Sequence, residues 1–109
     1  MLYDRKFAES SAVVAQRVVA ARERCAARLA GTPWRMNAEV PGTVLRRMFP
    51  PRPAALTSLD RAMELGQVSA RGADKIVRVA WSLADLAGQG EPGADQVNLA
   101  IGLWLGVTQ

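Results

Sequence analysis

Glycine and proline break this sequence at a few places, and between the breaks apolar residues recur at the three- and four-residue steps of an α-helix. Val14, Val18, Ala21, Cys25 and Leu29 form the first stripe, opened by Ser10 or Ser11 as a cap and stopped by Gly31-Thr32-Pro33. Residues 1–9 have no clean period and read as a flexible tether, leaving 10–109 as one helical domain. The stretch from Thr32 to Gly42 reads as an irregular crossing anchored by Trp34 and Met36. Val44, Leu45, Met48 and Phe49 make a short helix that ends before Pro50, Pro51 and Pro53, because proline lacks an amide hydrogen and clashes with the preceding turn.

Beyond Pro53, Leu56, Leu59, Ala62, Met63 and Leu65 give a third apolar face, ended by Gly66. Ser69 caps a longer helix, with Ile76, Val79, Ala80, Leu83, Leu86 and Ala87 spaced up to Gly88-Gln89-Gly90. The last helix opens at Pro92 to Asp95 and carries Val97, Ala100, Ile101, Trp104 and Leu105. No run alternates with period two. The fold class that follows is all-α, a compact bundle of four to five helices.

What the sequence lacks narrows the chemistry. With no His and a single Cys25, no internal disulfide and no zinc cluster is expected, and no metal site. Cys25 falls within the first apolar stripe and reads as a small buried residue. No apolar run is long enough to span a membrane, so no membrane partner and a cytoplasmic location are expected. The chain has no Gly-Lys pair and hence no phosphate-cradling P-loop, so by itself it is not expected to be an enzyme. Its net charge of +4, carried mostly by arginine, suits anionic partners.

Two arrangements of arginine stand out. Arg71 sits at the predicted start of the fourth helix, in Val68-Ser69-Ala70-Arg71-Gly72, where unpaired amides and the positive end of the helix dipole already favour an anion. A cation there opposes the dipole by about 0.3–1 kcal/mol, which points to a role other than helix stability. Arg71, Lys75, Arg78, Ser82 and Asp85 then follow at helical steps as one polar face, on which Asp74 is placed to pair with Arg78. On the first helix Arg17, Arg24 and Arg28 share one flank of the apolar stripe, a second basic face. Together these basic residues support an alternative reading, a helical module that binds nucleic acid.

Glu9-Ser10-Ser11, Arg17-Val18, Ala21-Arg22, Arg24, Arg28 and Asn37 resemble the opening of the C-terminal domain in magnesium-chelatase-like AAA+ proteins of the YifB/ComM type. Val68-Ser69-Ala70-Arg71-Gly72, Arg78-Val79-Ala80, Leu83-Ala84-Asp85-Leu86-Ala87 and Pro92-Gly93-Ala94-Asp95-Gln96-Val97 are similar to that family's later helices. Cys25 and Trp81 depart from the pattern, which often has Gln and Arg there. The resemblance implies an AAA+ lid beside a P-loop core in a longer parent ATPase. It implies that Arg71 is the sensor 2 arginine, with Ser69, Ala70 and Gly72 supporting its helix start. It further implies ATP and Mg bound in the parent, neighbouring subunits of a hexameric ring as partners, and DNA as a candidate substrate of the motor.

Overall fold

The computed structural model describes residues 2–108, with side-chain surroundings for residues 11–106. Five α-helices follow one another: α1 (Leu2–Arg28), α2 (Gly42–Met48), α3 (Thr57–Glu64), α4 (Ala70–Ala87) and α5 (Ala94–Thr108), with 3-10 turns at Asn37–Glu39 and Pro53–Leu56. There is no strand among the described residues. The all-α bundle expected from periodicity is what forms.

Helix α4 is the axis of the bundle. It packs against α1, α2, α3 and α5 and against the Asn37–Glu39 turn. Its buried residues, Gly72, Ala73, Ile76, Val77, Ala80, Trp81, Ala84 and Asp85, fall at three- and four-residue steps, so one broad face is enclosed. Around it sit Leu29, Val40, Leu45, Leu59, Val68, Val97 and Ala100 as one core. Ser69 caps the helix, its side chain accepting the Gly72 amide at 3.1 Å. Gly88 ends it in the left-handed region at φ 75°, where its amide reaches back to the carbonyls of Ala84 and Asp85.

Several boundaries and burials differ from the sequence expectation. The backbone is helical from Leu2, well before Ser10 or Ser11. The tether expected over residues 1–9 therefore has a helical backbone from Leu2, while Met1 and the side chains before Ser11 lie outside the described residues. Ala21, Cys25 and Leu29 are buried as the stripe requires, but Val14 is half exposed because its part of α1 has no neighbour covering it. Met36 is no anchor: it is 60% exposed, and the crossing is held instead by the buried Asn37, Val40 and Gly42, with Trp34 packed half-buried against the core. The segment after Pro53 begins as a 3-10 turn before α3 takes over, and Leu65 is exposed.

Candidate functional site

At the N-terminal end of α4, Arg71 is exposed at the second helical position. It makes no ion pair or side-chain hydrogen bond among the described residues, and the first turn of α4 holds no acid. The site around it is fixed from two sides. Gly72 is buried against Trp104 of α5: a Cβ built on Gly72 would lie 3.0 Å from the indole Cζ2 and 3.3 Å from Val68 Cγ1, so only glycine allows this approach without displacement. From α2, Arg46 donates to the Ala70 carbonyl at 3.4 Å and pairs with Asp74 at 2.7 Å. The pairing expected between Asp74 and Arg78 is thus replaced. Arg78 instead donates Nε–H to the Val40 carbonyl at 3.0 Å, and the Lys75 ammonium lies 5.6 Å from the Trp104 ring centre.

The other arginines singled out in the sequence have a different fate. Arg28 points inward and holds Asp85 with two bonds of 2.7 Å, one from each terminal nitrogen, and the side chains are only 13% and 3% exposed. The Arg28 guanidinium also donates to Asn37 Oδ1 at 2.8 Å and lies 4.3 Å over the Trp81 ring. Asn37 completes the group: its amide nitrogen donates to Asp85 at 3.1 Å and to Ser82 at 3.2 Å, while its oxygen also accepts from the Cys25 thiol at 3.4 Å. Trp81 is buried, donates its indole N–H to the Phe49 carbonyl at 3.2 Å and meets the Phe49 ring edge-on. It serves the core rather than an outer surface.

Burial works against the charged form of Arg28, but the hydrogen bonds and charge of Asp85 outweigh it, with a smaller contribution from Cys25, and its pKa is held above the ordinary guanidinium value. For a cation raised in this way, the stabilisation is present below the unfolded-state pKa and is lost only as pH rises through the folded one. Arg28 therefore stays charged wherever the domain is folded. Arg24 is engaged too, donating to the Asp85 backbone carbonyl at 2.8 Å, which also accepts from the Gly88 amide at the end of α4. Of the flank read as a basic face, only Arg17 remains exposed without an ion pair or side-chain hydrogen bond among the described residues, and Asp85 belongs to the interior rather than to the polar face of α4.

Residues 8–103 match the family described as magnesium chelatase, subunit ChlI C-terminal. The chain belongs to that family. As a magnesium-chelatase C-terminal domain it is also 50% identical over 93 residues to an uncharacterized protein of Mycobacterium bovis and to uncharacterized proteins of two Mycobacterium tuberculosis strains. The match covers 85% of this chain and 18% of each relative. The chain thus spans about a fifth of the length of the curated relatives it matches. No solved structure matches it.

Within this magnesium-chelatase C-terminal domain, then, α4 carries two unlike features: an open first turn with an unpaired Arg71, and a sealed last half built on Arg28 and Asp85. Arg46 was not legible as part of the first, since nothing in the sequence says that the end of α2 lies on the start of α4. A signal for the second did exist. Val77, Trp81 and Asp85 follow at four-residue steps, so the acid continues a row of large buried residues. No three His, Cys, Asp or Glu gather as a metal cage among the described residues, and no helix there is long and apolar enough to cross a membrane.

Proposed function

We propose that this domain is the lid of an AAA+ motor of the YifB/ComM type, in which Arg71 reads the γ-phosphate of ATP bound by the P-loop core of the parent protein. The observation that carries the reading is the free guanidinium of Arg71, exposed at the positive end of the central helix with no carboxylate in that turn. A phosphate oxygen placed there meets a charge-assisted donor and the helix N-terminus together. Loss of the γ-phosphate removes that bond, so lid position follows the state of the nucleotide.

The domain's part is to hold the arginine in place. Ser69 caps the turn, Gly72 lets it press on Trp104, and Arg46 ties Ala70 and Asp74 to α2. Mg-ATP itself belongs to the core, since the chain has no Gly-Lys pair. Neighbouring subunits of a hexameric ring and DNA are the proposed partners of the whole motor, and the cytoplasm its proposed location. The competing reading, a nucleic-acid module using Arg17, Arg24 and Arg28 or the Arg71 face, loses support on the first of these because Arg24 and Arg28 are bonded to Asp85. Arg71→Ala in the parent protein should lower ATP turnover while the domain stays folded; turnover equal to the unsubstituted protein would sink the assignment.

A further inference from the structure

Helix α4 carries two acids, Asp74 and Asp85, and each is held by an arginine of another helix: Asp85 by Arg28 of α1, Asp74 by Arg46 of α2. The cations of α4 itself, Arg71, Lys75 and Arg78, form no ion pair among the described residues. For Arg71 this follows from where Asp74 is turned. Along a helix the neighbours of a side chain stand three and four positions away, and for Arg71 these are Gln67, Val68, Asp74 and Lys75. Asp74 is the one acid among them.

Helix α2 takes that acid in two ways. The Asp74 side chain lies on Gly42, the first residue of α2, so closely that a Cβ built on Gly42 would stand 2.8 Å from the Asp74 Cβ, and glycine is what lets the carboxylate come to this side. Arg46, one turn along α2, faces Oδ1 at 2.7 Å. Oδ1 is buried and accepts no aligned hydrogen bond among the described residues, so the attraction of opposite charges holds it there. Without the Arg46 cation, a partly buried carboxylate is left in want of another. Arg78, four positions beyond Asp74, is engaged by the Val40 carbonyl through its Nε–H, whereas Arg71 has no side-chain bond to give up among the described residues.

We propose that Arg46 is a positioning residue for Arg71: by holding Asp74 on α2 it withholds from Arg71 the one carboxylate within reach along α4, and so keeps that guanidinium open to phosphate. The last step rests on the nucleotide-sensing reading; the withholding itself does not. A pair at this spacing is worth a factor of roughly 1.4 to 2.3 in an equilibrium constant, which is the extent to which a released Asp74 competes with phosphate for Arg71.

Nitrogen-15 spectra of the arginine side chains in the 109-residue chain test the withholding. Arg46→Gln should shift the Arg71 Nε–H signal, and adding Asp74→Asn should return it close to its original place. Asp74→Asn alone breaks the same ion pair without releasing an acid, so it should leave the signal nearly unmoved; a mere loosening of α2 would shift it in all three variants. In the parent protein Arg46→Gln should raise KM for Mg-ATP by the same roughly 1.4- to 2.3-fold, the added Asp74→Asn should undo the rise, and in an Arg71→Ala background Arg46→Gln should have no effect. An Arg71 signal indifferent to Arg46→Gln, or a shift or raised KM that persists when Asp74 is also replaced, would overturn the proposal. Turnover and KM unchanged by Arg71→Ala would instead overturn the sensing reading, and the spectra then decide the withholding by themselves.

Discussion

The two ends of α4 hold arginines under opposite physical conditions. Near its C-terminal end Arg28, brought in from α1, is enclosed and every carboxylate oxygen it faces is bonded to it. At its N-terminal end Arg71 is exposed and has no ion-pair partner among the described residues, against the sign of the helix dipole. A buried charge is tolerated only when it is paired, and Arg28 is paired through both terminal nitrogens, its Nε–H alone being without a partner among the described residues, so the first arrangement fixes how α1 docks on α4. The second has no such task in the folded domain. One arginine is explained by the structure around it, and the other asks for something outside.

The sharpest way to break that contrast is Arg28→Met. It leaves Asp85 buried without its cation and should lower unfolding free energy by about 3–5 kcal/mol in urea titrations. Adding Asp85→Leu should recover part of that loss, since replacing both members of a buried pair with apolar groups is far milder than removing one. A single variant as stable as the unsubstituted chain would mean that the pair is a surface contact in solution. Next in size is Ser69→Ala, which removes the cap under Arg71 and should cost about 0.5–2 kcal/mol, read from the same titration. Smallest is Arg71→Ala. Its midpoint should stay within about 0.5 kcal/mol of the unsubstituted chain, or rise slightly as the opposed dipole is relieved. A large loss would show that Arg71 has a structural partner and would erase the distinction between the two ends.

The helices were legible because their apolar rows and their glycine and proline stops are local features, readable over one or two turns. The position of Arg71 was legible for the same reason: a capping serine two residues before it marks the start of α4. What stayed hidden depended on contacts distant in sequence. Arg28 and Asp85 are 57 residues apart, and on a helical wheel each sits at the edge of an apolar face, where burial and exposure look alike. Met36 was preferred to Asn37 as an anchor on hydrophobicity alone. The structure reverses the choice because Asn37 supplies the donors and acceptors that Arg28, Asp85, Ser82 and Cys25 require. The early start of α1 was missed because its first residues carry no apolar row, which is also why they read as a tether.

The thiol of Cys25, 8% exposed and bonded to Asn37 beneath α1, has a use that does not depend on any biological role. It is the chain's one cysteine, so a thiol-reactive probe can label the molecule only there, and only when α1 lifts from α4 or the domain opens altogether. Where closing outpaces labelling, the rate of modification relative to an unprotected thiol gives the population of that opening directly. The same reading, taken with and without nucleotide in a longer protein, would turn the sealed half of α4 into a gauge of what happens at the open one.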